Sequence, residues 1–190
     1  NVESEPELYR IHNAAKKLNK RARISIRVNP DVDPKTHPYI STGLKENKFG
    51  VDEKNAILLY KTAKKLDSID IHGIDCHIGS QITELKPFKD SIKKLLALIK
   101  YLKSIDIFIE YIDIGGGIGI QYEKEKPPNI SEYAKSVKKI LKGINLKIIF
   151  EPGRVLVGNA GILLTTVEFI KNSSEKNFVI VNAAMNDLMR

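Results

Sequence analysis

The sequence predicts an α/β fold with a parallel sheet, most of a (β/α)8 barrel in extent. Three observations carry that prediction. Short Ile-rich runs alternate with longer runs whose apolar residues recur three and four apart. The centres of the short runs fall near residues 26, 72, 110 and 148, with later spacings of roughly 38 residues, room for a strand–helix–strand unit. The short runs are bounded by Gly, Asn or Asp, as strands are. Such alternation lays helices over a parallel sheet. A closed barrel takes about 250 residues. The chain has 190, so roughly five units and no closure are expected. An open doubly wound sheet is the alternative.

Residues 6–18 carry Leu8, Ile11, Ala14, Ala15 and Leu18 on one helical stripe, with Ser4 as cap and Glu7 at capping-box spacing. Residues 23–29 alternate Ile24, Ile26 and Val28, a half-buried strand. Residues 53–66 repeat the helical stripe with Ile57, Leu58, Ala63 and Leu66. Residues 69–76 form the second strand. A long Lys-studded helix follows over 87–102, with Pro87 at its first position. Strands over 107–114, 146–150 and 178–181 and a helix over 131–141 complete the reading.

Composition narrows the function. Hydrophobic residues make 42% and charged residues 28% of the chain, which places it among ordinary globular proteins. No apolar run approaches the roughly 18 residues that cross a bilayer, so no membrane partner is expected. Glu3, Glu5 and Glu7 stand where a signal peptide would be apolar. A single cysteine, Cys76, makes no internal disulfide and reads as a small buried residue, and a reducing cytoplasm is the expected compartment. The net charge of +8 comes from lysines scattered along helices, without an Arg cluster or aromatic–basic alternation. A nucleic-acid partner is therefore not expected. The chain opens on Asn1 and closes on Arg190, and both ends read as cut.

Three strand ends carry chemistry. Gly115, Gly116 and Gly117 expose successive backbone N–H groups that an anion can approach. Ile120 stands where the dinucleotide fingerprint needs glycine, and no Walker lysine follows, so a phosphate site or a structural turn remains. Glu-Pro-Gly-Arg at 151–154 sets a carboxylate and a guanidinium at another strand end, either as a site or as a local ion pair. His77 and Ser80 sit in a third turn. His72 and His77 point to opposite faces, and no metal site is expected. An imidazole, a hydroxyl, a carboxylate and a guanidinium at glycine-bearing strand ends suit one small phosphorylated ligand.

His-Ile-Gly-Ser-Gln at 77–81, Gly-Gly-Gly at 115–117 and Glu-Pro-Gly-Arg at 151–154 resemble the three barrel motifs of the alanine-racemase-like, fold-type III pyridoxal-phosphate decarboxylases. Asn29-Pro30 through His37, Ile-Ser-Thr-Gly at 40–43 and Lys-Phe-Gly at 48–50 extend the resemblance over nearly the whole chain. Met-Asn-Asp-Leu-Met-Arg at 185–190 is similar to the segment after the barrel in members acting on meso-diaminopimelate.

The resemblance implies a partial (β/α)8 TIM-like barrel of the alanine-racemase type, lacking the first strands and the C-terminal β-domain. Residues 1–170 would be the pyridoxal-phosphate-binding portion and 171–190 the start of the connection. The cofactor implied is pyridoxal 5'-phosphate. His77 would stack on its ring and Glu151 would pair with the ring nitrogen, the two catalytic residues here. The Schiff-base lysine would lie ahead of Asn1. Ser80, Gly116, Gly117, Pro152, Gly153 and Arg154 would complete the cofactor site. Arg154 and Arg190 would bind the substrate's distal carboxylate end. The activity implied for the full-length protein is decarboxylation of meso-diaminopimelate to L-lysine and CO2 by a homodimer, the fragment itself being inactive. Decarboxylases of ornithine, arginine or carboxynorspermidine, and a non-catalytic pyridoxal-phosphate carrier, are the alternatives. Asp75 stands where many members of the family have a histidine, and Asn182 and Ala184 stand where the resemblance leads one to expect Asp and Gly.

Overall fold

Four strands lie side by side in the order in which the chain makes them: β1 (Ala22–Arg27), β2 (Ile69–Asp75), β3 (Tyr111–Asp113) and β4 (Lys147–Ile149). Every adjacent pair is parallel. The computed structural model describes residues 1–33 and 48–189. The motif residues between 34 and 47 therefore lie outside the described residues, as does Arg190. A doubly wound sheet reverses its strand order at a switch point. Among the described strands the parallel order runs 1-2-3-4 without reversal, the order of a barrel wall.

Helices α1 (Glu5–Lys17), α2 (Glu53–Lys64), α3 (Leu85–Ser104) and α4 (Ile130–Ile140) precede or link these strands. Their starts follow from side-chain caps. Ser4, Asp52 and Asn129 accept the N–H groups of Glu7, Asn55 and Ser131, removing orphan donors of the first turn. Glu7 reaches back to the N–H of Glu3 at 2.7 Å, one residue before the cap. Pro87 falls at the third position of α3 rather than the first. That position also lacks an intrahelical acceptor, so the missing N–H costs nothing there.

Ile107 is apolar for a different reason than the strand pattern suggests. Asp106, at φ 58°, turns the chain out of α3 in the left-handed region. The N–H of Asp106 then bonds the Lys103 carbonyl and that of Ile107 the Leu102 carbonyl, the Schellman closure. Ile107 packs beneath the helix end, buried with Leu102. The ladder starts only at Tyr111.

The core lies between sheet and helices. Leu8, Leu59 and Ala63 from α1 and α2, and Ile92, Leu95, Leu98 and Leu102 from α3, cover Ile24, Ile26, Ile74 and Ile112 of the strands. Tyr133 of α4 meets Phe88 edge-on, with ring centroids 5.0 Å apart. Tyr60 is fully buried, and its hydroxyl donates to the Gly73 carbonyl at 2.8 Å.

The chain divides into two units, Asn1–Leu156 and Val157–Arg190. A short α5 (Arg154–Val157) spans the division. In the second unit β5 (Val167–Lys171) and β6 (Phe178–Val181) pair antiparallel. The strand expected at 178–181 is present, but outside the parallel sheet. Among the described residues no helix is long and apolar enough to cross a membrane.

Tyr60→Phe tests the tie between α2 and β2. It leaves a buried Gly73 carbonyl without its donor, so the full-length protein is expected to lose about 1–3 kcal/mol of stability. Urea unfolding reads this as a lower midpoint at unchanged slope.

Candidate cofactor-binding site at the strand C-termini

Parallel α/β sheets place chemistry at the carboxyl ends of their strands. Three consecutive strands here end in turns packed against one another. After β3, Gly115 and Gly117 adopt φ 66° and 95°, conformations that cost a side-chain-bearing residue energy. Space is equally decisive. A Cβ on Gly116 would sit 1.9 Å from the Glu151 carbonyl oxygen, and one on Gly117 would sit 2.0 Å from that of Gly79. The Glu151 N–H donates to the Gly115 carbonyl at 2.8 Å. The β3 and β4 turns are thus in backbone contact, and only glycine permits it.

The β2 turn joins the same assembly. Ile82 exchanges backbone bonds with Gly117 and Gly119 at 2.9 and 3.0 Å. Gln81 takes both sides of Ile120: its Nε2 donates to the Ile120 carbonyl at 2.5 Å, and its Oε1 accepts the Ile120 N–H at 3.1 Å. This clamp was not foreseen. A glutamine between Ser80 and Ile82 offers little signal until the partner loop is known.

His77 and Glu151 are brought together. The Gly116 N–H donates to His77 Nδ1 at 3.3 Å, and Glu151 Oε2 lies 3.7 Å from the same nitrogen. Burial, helped by Arg27, lowers the His77 pKa against the opposing pull of Glu151. A neutral ring with its proton on Nε2 fits an Nδ1 that accepts a backbone N–H. Ser80 is half-buried in the turn beyond. Arg154 does not pair with Glu151. Its Nη1 donates to the Tyr122 hydroxyl at 3.0 Å, and its guanidinium lies 5.9 Å from the centre of that ring. Pro152 and Gly153 are exposed, and a Cβ on Gly153 would meet nothing within 4 Å. Cys76 is buried and its thiol is pushed up by burial.

A carboxylate cluster accompanies these residues. Arg27, Asp75 and Asp113 end their strands in direct register. Parallel pairing points such residues to one face. Asp75, Asp113 and Glu151 bring carboxylate oxygens within 4.8 Å of one another. Burial first, then Asp113 and Glu151, pushes the Asp75 carboxyl up to about 7, and burial likewise raises Asp113. No paired carboxylates were expected from the sequence. The signal was there: two strands each ending in Asp before a glycine turn.

A family model described as the pyridoxal-binding domain of pyridoxal-dependent decarboxylases matches residues 1–158. The chain belongs to the pyridoxal-dependent decarboxylase family. Two of its similar relatives are the diaminopimelate decarboxylases of Vibrio cholerae and Neisseria meningitidis, each 54% identical over 100% of this chain, covering 46% and 47% of their own lengths. The crystal structure of diaminopimelate decarboxylase from Helicobacter pylori complexed with L-lysine superposes with a TM-score of 0.91 at 46% identity, over 100% of this chain and 48% of that one. The chain spans about half the length of the relatives it matches.

The residues fit the family's cofactor. Gly116 and Gly117 turn backbone, not side chains, toward the neighbouring turns, and an added Cβ on Gly153 would occupy open space. A neutral imidazole and a half-exposed carboxylate stand together beside them. Gly116→Ala and Gly153→Ala separate packing from recognition. The first is expected to cost at least about 1–3 kcal/mol of stability, because backbone must move. The second is expected to change stability by less than about 0.5 kcal/mol. Thermal unfolding of the full-length variants without cofactor measures both.

Proposed function

We propose that the full-length protein is a pyridoxal-phosphate-dependent carboxy-lyase that converts meso-2,6-diaminopimelate to L-lysine and CO2. The observation that carries this reading is the packing of three glycine-bearing strand ends around His77 and Glu151. The identity of 54% to diaminopimelate decarboxylases supports the substrate. When bound, pyridoxal phosphate supplies an electron sink for the pair left on Cα as CO2 departs.

In this reading the chain's residues divide the work. Backbone N–H groups of Gly117 and Gly153, with the Ser80 hydroxyl and the Arg154 guanidinium, would receive the phosphate, while Gly116 keeps its N–H on His77 and holds the turn in place. Tyr122 holds Arg154 at the rim, which limits the entropy lost on binding. The flat His77 ring would stack on the pyridine, and its neutrality would avoid placing a second cation there. Glu151 would pair with the ring nitrogen and favour its protonated form, because an anion favours the charged partner. Pro152 fixes the turn between Glu151 and Gly153. Arg154 and Arg190 serve the substrate's distal carboxylate, which ornithine and lysine lack. Residues 1–170 belong to the cofactor-binding barrel and 171–190 to the connection beyond it. A cytoplasmic homodimer is the assembly that goes with this reading.

Three substitutions test it in the full-length protein. Glu151→Gln keeps the shape and removes the charge, so kcat is expected to fall about 100-fold or more while cofactor affinity falls less. Arg154→Ala removes a charged hydrogen bond worth about 1.5–3 kcal/mol, so the cofactor Kd rises roughly tenfold or more. Arg190→Ala is expected to lower kcat/KM for meso-diaminopimelate about tenfold with cofactor affinity unchanged. Spectroscopic cofactor titration beside CO2 release resolves the three. Unchanged cofactor affinity in Arg154→Ala removes the phosphate role, and unchanged kinetics in Arg190→Ala removes the substrate assignment.

A further inference from the structure

Asp75 is a residue of this site that no role above uses. Its side chain is 2% exposed. Its Oδ1 is buried without a hydrogen-bond partner among the described residues. An ionised carboxylate so placed is costly, because burial without compensating donors penalises charge far more than it penalises a neutral group. Among the described residues the surrounding groups do not compensate it. Asp113 on β3 and Glu151 after β4 are both acidic and both within the 4.8 Å cluster. From β1, Arg27 Nε reaches Asp75 Oδ2 only at 3.9 Å, and the same guanidinium is engaged by Glu3 at 2.9 Å. The Tyr60 hydroxyl is committed to Gly73. Cys76 beside it is a buried thiol.

Three carboxylates this close cannot all be ionised without mutual repulsion. The members differ in what water and backbone offer them. Glu151 has a half-exposed side chain, so solvent supports its charge. Asp113 Oδ1 accepts the Gly115 N–H at 3.0 Å, a bond that favours the anion. Asp75 has neither. We propose that Asp75 is a positioning residue, a buried neutral carboxylic acid that holds the cluster's proton and so leaves the negative charge on Glu151 and Asp113. Its use, an anionic Glu151 facing the ring nitrogen, rests on the cofactor reading above. The proton itself does not, and is tested without cofactor.

The sign of the effect distinguishes this from an ordinary ion pair. An aspartate ionises near 3.8 when unfolded but keeps its proton to about 7 in this site. The unfolded chain then binds fewer protons, so stability falls as pH rises across that window. Asparagine at position 75 cannot ionise and escapes that loss. Asp75→Asn in full-length apoprotein is therefore expected to melt higher than the parent. The gap should open between about pH 4 and pH 7 and reach several degrees above it. If Asp75 is instead an anion paired with Arg27, Asp75→Asn melts lower and its deficit grows with pH; that result overturns the proposal. A parent midpoint that rises with added Mg2+, and a variant midpoint that does not, marks a cation site and also overturns it. Should the variant fail to fold, infrared spectra of the parent with ¹³C-labelled aspartate decide. A carboxylic acid C=O band that persists above pH 5 supports the proposal, and its absence overturns it.

Discussion

The carbonyl oxygen of Glu151 lies where a side chain on residue 116 would have to begin. The site depends on that close approach. A Cβ at 116 would force the β3 and β4 turns apart and break the bond from the Glu151 N–H to Gly115. Glu151 would then lose its place 3.7 Å from His77. The same economy recurs one turn earlier, where Gly117 lies against the Gly79 carbonyl and Ile82 is bonded on both sides. Function here is set by backbone contact, and the side chains are carried to their places by it. Glycine costs conformational entropy at each such position, and the lattice of backbone hydrogen bonds around the turns offsets it.

The charged row beneath these turns follows from sheet geometry. Consecutive parallel strands in direct register project Arg27, Asp75 and Asp113 to one face at one level. Glu151, two residues past the end of β4, adds a third carboxylate from above. The arrangement raises the cost of negative charge most where water is least available. It therefore sorts three chemically similar groups by burial, leaving the exposed one best able to stay charged. A pair of titratable groups driven apart by their surroundings is how one site comes to hold both an acid and a base.

Much of this was legible in the chain. The helical stripes and the cap at Ser4 use local rules, and local rules survive into the fold. The three glycine-bearing strand ends were legible for the same reason. What escaped depends on partners distant in sequence. Ile107 looks like a strand residue because burial under a helix end and burial in a sheet leave the same apolar mark. β5 escaped because parallel units recur some 38 residues apart, whereas β5 is a hairpin partner only a short loop from β6. The Arg154–Tyr122 contact joins residues 32 apart on different loops, and nothing in either segment announces the other. The carboxylate cluster needed the register of two ladders, which periodicity cannot supply.

The neutral state of His77 and the protonation of Asp75 belong to one balance of charge. Arg27 is the only guanidinium in the row, and Glu3 already holds it. It helps to depress His77 and only weakly relieves Asp75. Were His77 charged, the Gly116 N–H would face a donor instead of an acceptor, and the β3 turn would lose a contact that fixes it. Were Asp75 charged, the cluster would carry three anions against the shared Arg27 among the described residues. Both groups are therefore held neutral by burial, through opposite protonation changes: the imidazole gives up its proton and the carboxyl keeps one. The charge that remains to face solvent sits on Glu151 and Arg154, on the same short turn and paired with different neighbours. An anion and a cation held apart in this way can engage opposite ends of one polar ligand, which a mutual salt bridge would prevent.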